Sequence, residues 1–437
     1  MEKNCAIFDI HNHVTASIKK IKMESTRQLL NICAYLAPEG IPLSMLREGR
    51  ARLPVPLSGA LMNTQSLNKA ISELTACSLG RKQGGLLYVR RQAQETVREE
   101  LTGDPRWLTY CLDMANAVFK YRYGDKRSMS VFEQRASHVL EIARYGETLL
   151  DEDEEAQRKT AILYHKAGYG FYFNGQYQEA LTWFDKALSI QENVLGAEHP
   201  DTAAIYNNMA GVYDNRGDYG KALEWYGKAL AIYKSTLGPQ HQDTAAAYNN
   251  IALVYKNQSD YDKALEWYGK ALAIIEKNLG TQHPDTAATY NNIAVVYDSQ
   301  RNYTKALEWY KKALYIREMA LGSEHPDTAT TYNNIALVYG SQGEYAKALE
   351  WHKKALAIKE KVLGTEHPST AVTYNNIALL YYYQGGYKQA LEWYNKCYGI
   401  LLHKLGETHP NTNLVKNNMI NCMSKIHTGQ ALETRAT

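Results

Sequence analysis

No two cysteines in this chain stand in a CxxC spacing. The six that occur (Cys5, Cys33, Cys77, Cys111, Cys397 and Cys422) are scattered and follow no period. That argues against a disulfide scaffold or a cysteine zinc site and for a reducing compartment. No run of about eighteen apolar residues occurs, so no membrane-spanning helix is expected. The opening MEKNCAIFDIHNHVTASIKK lacks the apolar core of a secretory signal. Cytoplasmic localisation follows as the expectation. Charge of one sign is missing too: 49 Lys and Arg against 46 Asp and Glu leave a net +3, too little to draw a polyanion. There is no GxxxxGK[ST], hence no phosphate-cradling loop and no ATP hydrolysis expected from this chain.

What the sequence does have is a block of 42 residues that recurs through its second half, with the core HPDTAATYNNIAVVYDSQRNYTKALEWYKKALYIREMALG. An Asn pair marks the register at Asn207-Asn208, Asn249-Asn250, Asn291-Asn292, Asn333-Asn334, Asn375-Asn376 and Asn417-Asn418. Tryptophan keeps the same step at Trp183, Trp225, Trp267, Trp309, Trp351 and Trp393. A fixed period of this size means a solenoid of supersecondary units, each burying its apolar face against its neighbours.

The unit from Asp201 to Gly238 shows the construction. Asp201 or Thr202, after Pro200, is placed to cap a helix A. Tyr206, Met209, Ala210 and Tyr213 fall at i, i+3, i+4 and i+7 and form one apolar stripe. Asn215 to Asp218 break the pattern, with Gly217 as the turn residue. Helix B follows, its Ala222, Trp225, Tyr226, Ala229, Leu230 and Ile232 facing inward. Glu224 and Lys228 pair on its wet face, as do Glu266/Lys270, Glu308/Lys312, Glu350/Lys354 and Glu392/Lys396, each pair contributing a few tenths of a kcal/mol. Gly238 is expected to end helix B as a left-handed cap. Ser259 and Arg301 occupy the turn position that Gly217, Gly343 and Gly385 hold elsewhere. The unit from Thr160 to Leu195 lacks the HP header and the Asn pair and reads as an N-terminal cap. Asn411 to Lys425 offers one closing helix, and the tail from about residue 428 is expected to be disordered.

Small Ala where the helices approach, with Tyr and Trp filling the rest, resembles a tetratricopeptide repeat, whose usual period is about 34. The string LG-x-x-HP-x-TA-x-x-YNN-x-A is similar to the longer repeats of kinesin light chains and of a bacterial group that shares them; the likeness runs from about Thr160 to Asn421. It implies a concave groove lined by helix A that takes short peptide segments. On that reading the groove carries Asn207, Asn249, Asn291, Asn333 and Asn375, then the second amides Asn208, Asn250, Asn292, Asn334 and Asn376. Asp214, Lys256, Asp298, Tyr382 and Tyr383 lie beside them. An amide ladder can donate to and accept from any peptide backbone. The recurrent His199, His241, His283, His325, His367 and His409 are read as loop contacts, not metal ligands.

The first third changes character. Helices are expected over Ser25–Ala37, Pro42–Leu53 and Ser66–Leu79, followed by a hairpin around residues 80–85 and a helix from Val89 to Leu101. The run LLNICAYLAPEGIPLSMLREG resembles the winged-helix segment of NB-ARC-type signalling ATPases, and residues 104–158 resemble their helical linker. Two departures stand out. The nucleotide-binding core would precede residue 24, and Arg90 stands where that family has a nucleotide-sensing histidine. Lys69, Arg81 and Lys82 make a thin basic footprint, so nucleic acid is not the expected partner. Asp9, His11 and His13 mimic the start of a metal-dependent hydrolase barrel, but the chain spends the residues such a barrel needs on repeats.

The expected fold is all-α: residues 1–23 unassigned, a winged-helix-like domain over 24–103, a helical linker over 104–158, a tetratricopeptide superhelix over 159–427 and the tail. The expected function is non-enzymatic and needs no cofactor or metal. It is a protein-interaction module for a peptide or protein, as the sensor half of a signalling protein. Two alternatives stand beside it: a subunit working with a separate NB-ARC-type ATPase core, and a peptide-responsive transcription regulator.

Overall fold

The computed structural model describes residues 12–120, 126–148, 153–407 and 409–436. Two compact units divide the chain: Met1–Tyr123 with Arg127–Ala197, and Gly124–Lys126 with Glu198–Thr437.

The first unit opens with a helical stretch over 12–18 (α1), then α2 (Glu24–Cys33), β1 (Ile41–Pro42), α3 (Leu43–Glu48), α4 (Leu57–Met62), α5 (Thr64–Ala76), β2 (Gly80–Gln83), β3 (Leu86–Val89) and α6 (Arg91–Glu100). Asn63 caps α5 by accepting from the Gln65 and Ser66 amides, and Leu67, Ala70, Ile71 and Leu74 form its buried stripe. Glu73, on the other side of α5, accepts from the backbone N–H of Lys22 at 2.8 Å and so serves the start of α2. The strands pair antiparallel in the order β1-β3-β2, with Ile41 opposite Leu87 and Gly80 opposite Val89.

One expected helix is divided in the structure. The helix expected from Pro42 to Leu53 is a two-residue strand, α3 and a 3-10 turn over Arg50–Arg52, and α4 was not foreseen. Gly49 marks the break: a Cβ there would lie 2.4 Å from Met114 Cγ, so α3 ends where a later helix presses close.

That later helix is α7 (Arg106–Val118), followed by α8 (Lys126–Glu147), α9 (Glu154–Phe173) and α10 (Tyr177–Leu195). The pair α9–α10, expected to open the solenoid, belongs by its contacts to this first unit. Particular side chains explain why. Asn116 donates to the Lys159 carbonyl at 3.0 Å, Lys166 donates to the Asn116 carbonyl at 2.7 Å, and Lys159 pairs with Asp113 at 2.8 Å. Phe132 stacks on Phe119 and meets Phe171 edge-on.

The second unit is five helix pairs and a closing helix: α11 (Pro200–Asn215) with α12 (Tyr219–Thr236), α13 (Gln242–Asn257) with α14 (Tyr261–Leu279), α15 (Pro284–Ser299) with α16 (Tyr303–Leu321), α17 (Pro326–Ser341) with α18 (Tyr345–Val362), α19 (Pro368–Tyr383) with α20 (Tyr387–Leu405), then α21 (Pro410–Ala436). The closing helix is longer than the expected Asn411–Lys425 and runs into the stretch read as a disordered tail. Each pair packs internally and each B helix packs on the next A helix. Successive A helices also touch, α11 with α13, α15 with α17 and α17 with α19, which makes A the inner layer.

Ala210, Ala222 and Ala229 and their equivalents are fully buried, and Tyr268, Tyr310 and Tyr394 fill the space between the helices. The tryptophans are only half-buried. Each indole packs on the Tyr before the Asn pair (5.3 Å for Tyr206–Trp225) and lies under a lysine ammonium, at 4.2 Å for Lys270. The expected ion pairs form at Lys228–Glu224, Lys270–Glu266 and Lys354–Glu350. Lys312 and Lys396 cover Trp309 and Trp393 in the same way.

Two local expectations are corrected. Helix A is capped by histidine, not by Asp201 or Thr202: His199 Nδ1 accepts from the Asp201 N–H at 3.1 Å, and His241, His283, His325, His367 and His409 repeat this at 3.1–3.2 Å. α12 ends on Leu237 ahead of Gly238, and the left-handed cap expected at the end of a B helix is not formed by Gly280, Gly322 or Gly406, which have positive φ but an extended ψ (87° and 164° at Gly280), outside the left-handed helical region. That region is used at the turns inside each pair, by Gly217, Gly343 and Gly385 and also by Ser259 (φ 63°) and Arg301 (φ 59°).

Candidate functional site

The inner face of the A helices carries the amide ladder, and its chemistry is more specific than a row of free amides. Asn250 donates to Asn207 Oδ1 at 2.9 Å, Asn334 to Asn291 Oδ1 at 2.9 Å, and Asn418 to Asn375 Oδ1 at 3.5 Å. At these three junctions the second Asn of a pair stitches its helix to the first Asn of the repeat before. Asn333 is a correction to the expected groove set: it is buried, and its Oδ1 lies 2.8 Å from His352 Nδ1. Asn376 is buried too and accepts from Asn375. Asn249 keeps a buried Oδ1 with no partner among the described residues. Asn208 and Asn292 are half-buried on the same helices.

Two turns further along, Asp214, Lys256, Asp298, Gly340 and Tyr382 occupy equivalent positions. Asp214 accepts from Asn257 Nδ2 at 3.0 and 3.2 Å, and Lys256 donates to Asn257 Oδ1 at 3.2 Å. Burial raises the Asp214 carboxyl above the ordinary range, partly offset by the bond from Asn257. Asp298 is also half-buried and also raised by burial, with nothing to offset it. Residue 341, which corresponds to Asn257, is Ser. Tyr382 packs edge-on against Tyr383 and Tyr387, while Tyr383 is 66% exposed.

A cleft of about 620 Å³ crosses α15, α17 and α19. It brings together three of the expected residues, Asp298, Asn376 and Tyr383, with Arg301, Leu337 and Gly340, which the sequence reading had not singled out for the groove. Gly340 carried a signal that was readable: it is the only position in its column without a side chain. Asp214 and Lys256 lie on earlier rungs and are already tied to Asn257.

A second feature was not anticipated. Inside this stretch of repeats sit three buried basic groups. His352 replaces the tyrosine found at Tyr226, Tyr268, Tyr310 and Tyr394, and its Nε2 has no partner among the described residues. Burial, with the Lys359 charge, pushes its pKa down to about 4. Lys359, lowered by burial to about 8, donates to Thr373 Oγ1 at 3.2 Å. Arg317 donates to the Asp327 carbonyl at 2.9 Å and to Thr331 Oγ1 at 2.7 Å.

Other sequence candidates resolve plainly. The recurrent histidines are helix caps, and the described residues hold no cluster of metal-ligating side chains. Asp9 and His11 lie outside the described residues, and His13 is exposed. Arg81 lies over the Tyr88 ring and Lys82 donates to Asn68. No helix among the described residues is long and apolar enough to cross a membrane.

A tetratricopeptide repeat family profile matches residues 159–235, 243–318, 299–361 and 327–402, more than half of the chain. A nucleotide-binding leucine-rich repeat (NLR)-like protein of Hyaloscypha variabilis is 35% identical over 97 residues, which is 22% of this chain and 9% of that relative's length. Among solved structures, the nearly identical TPR-like repeats of a putative kinesin light chain from Podosopora anserina are 26% identical, covering 47% of this chain and 97% of that one, with a TM-score of 0.38. A signal transduction ATPase with numerous domains (STAND) that carries a tetratricopeptide repeat sensor, from Pyrococcus horikoshii, is 16% identical. It covers 94% of this chain and 65% of that one, with a TM-score of 0.40.

Proposed function

The chain belongs to the tetratricopeptide repeat family, and on that premise we propose that its protein-interaction surface is the inner face of helices α11 to α19, where it takes up a peptide or protein segment. The observation that carries this reading is the cleft across α15, α17 and α19, which presents exposed Leu337 and Tyr383 beside the half-buried Asp298. Solvated apolar groups beside a polar group are what a recognition surface needs. Crosslinking mass spectrometry of the tagged chain in its host, with a Leu337→Asp/Tyr383→Asp double variant as control, tests it. Partner crosslinks on α15, α17 and α19 should vanish in the variant while its helicity stays unchanged. Crosslinks that persist undiminished would remove the groove from consideration.

A second reading concerns the role of that interaction. The order α2, β1, α3 to α5, then the β2–β3 hairpin that pairs back onto β1, supports a winged-helix-like domain over 24–103 and a helical linker over 104–158. The match to an NLR-like relative favours a sensor half that works with a nucleotide-binding core, here a separate NB-ARC-type ATPase subunit. Co-purification of a P-loop protein with the chain, dependent on residues 24–158, is the expected result. The regulator alternative predicts DNA retention at moderate salt. The engaged Arg81 and Lys82 offer little to phosphate, so no retention is expected.

A further inference from the structure

The amide stitch holds between α15 and α17, where Asn334 donates to Asn291 at 2.9 Å. The column beside it fails there in two ways. Two repeats earlier, the carboxylate of Asp214 is answered across the helix pair by Asn257, one period plus one residue on. At the equivalent junction Asp298 faces the position of Ser341, and its carboxylate has no hydrogen-bond or ion partner among the described residues. Burial raises its carboxyl with no nearby cation to offset it, although Arg301 lines the same cleft. The second failure is Gly340. Its column carries Asp, Lys, Asp and Tyr at the other rungs, and without a side chain here the face opens into the cleft. A Cβ at Gly340 would already lie 3.0 Å from Leu380 Cδ2, so the gap is narrow at its base. Leu337 and Leu379 form its apolar lining, and Tyr383 stands exposed at its edge.

We propose that this cleft recognises a peptide segment carrying a basic side chain beside a bulky apolar one, the lysine or arginine on the Asp298 carboxylate and the apolar group in the notch over Gly340. This rests on the groove reading above and sharpens it. A half-buried carboxylate without a partner is costly, and a charged hydrogen bond from an ammonium or guanidinium relieves that cost. The notch supplies the apolar contact that a carboxylate alone cannot. The other rungs offer neither: Asp214 is already satisfied, and Lys256 and Tyr382 fill the positions where the gap would be.

The test is selection of a random nine-residue phage-displayed peptide library on the full-length chain, compared with Asp298→Lys and Gly340→Leu. Wild type should enrich sequences that pair Lys or Arg with Leu, Phe or Tyr. Asp298→Lys should shift the enriched charge to Asp or Glu, and Gly340→Leu should weaken the wild-type peptides at least tenfold in fluorescence anisotropy. Circular dichroism and thermal melts confirm that both variants fold. A third variant, Leu253→Asp, lies on the same inner face two rungs away. If selected peptides lose binding to Leu253→Asp but ignore the two cleft variants, the groove reading stands and this inference is overturned. If none of the three variants changes binding, both are overturned.

Discussion

Glycine is used in opposite ways in the two units. In α9 it is demanded by neighbours: a Cβ at Gly170 would fall 2.2 Å from the ring of Phe132, and one at Gly168 would fall 2.6 Å from Phe184. In the B helices of the second unit, Gly227 and Gly269 face open space. The first unit is fitted by particular residues to particular partners, often far apart in sequence, as in the bond from Arg135 to the Val118 carbonyl and its ion pair with Glu48. The second unit is built largely by rule, its histidine caps and Tyr–Trp contacts recurring one period on. A rule-built region tolerates change at its wet positions and shows its departures clearly. A fitted region does neither.

The largest expected effect is a break in the rule. His352 sits buried where other repeats have tyrosine, and its pKa of about 4 lies below the ordinary 6.5. A depressed pKa means that stability is fully present above about pH 6.5 and is lost as pH falls toward 4, because the unfolded chain takes up the proton first. The full loss is about 3 kcal/mol. Urea melts of wild type and His352→Tyr at pH 7, 5 and 4 read the difference. The variant should lose less on acidification, and parallel acid slopes would show that His352 is no weak rung.

Next is the contrast between the glycines. Gly170→Ala should destabilise the chain by about 1–3 kcal/mol through overpacking against Phe132. Gly269→Ala should instead stabilise it by about 0.5–1 kcal/mol, since nothing meets the new methyl and a helix interior prefers alanine. Chemical denaturation of both variants measures the pair. Equal signs would abolish the distinction drawn between the units. The smallest effect is at Ser259, held at φ 63° in a turn where sister repeats carry glycine. Ser259→Gly should raise stability by roughly 0.5 kcal/mol, relief of the left-handed strain being partly offset by the entropy of glycine. A melting temperature unchanged or lowered would show that Ser259 bears no such strain.

The same contrast explains what was legible beforehand. Tyr206, Met209 and Ala210 could be assigned to the core because their spacing recurs five times over, and the turn at Gly217 because its equivalents recur as well. Nothing comparable existed for α4, a six-residue helix between Pro56 and Asn63 that owes its place to tertiary packing. Nor did local pattern reveal that Asn116 and Phe132 would draw α9 and α10 into the first unit. At the candidate site the helix face was readable from the period, but the state of its amides was not. Whether Asn250 points into solvent or onto Asn207 depends on how closely two helices approach, and Asn333 turned inward because a histidine replaced a tyrosine nineteen residues on. The cleft was visible only as an exception, a glycine in a column of larger residues.

The buried tyrosine hydroxyls at the repeat junctions carry one more consequence. Tyr290 bonds Glu276 at 2.6 Å, Tyr332 bonds Glu318 at 2.5 Å and Tyr374 bonds Glu360 at 2.6 Å, always fourteen residues back. These three junctions share one joint, whereas Lys234 stands fourteen residues before Tyr248. Cutting out one whole period between two such joints would bring a glutamate and a tyrosine together at the same spacing, and adding one would do likewise. Between α14 and α19 the length of the inner face is thus free to change by whole rungs while each seam of this kind keeps its chemistry. The molecule is a ladder that can be extended or shortened without redesigning how one rung fastens to the next.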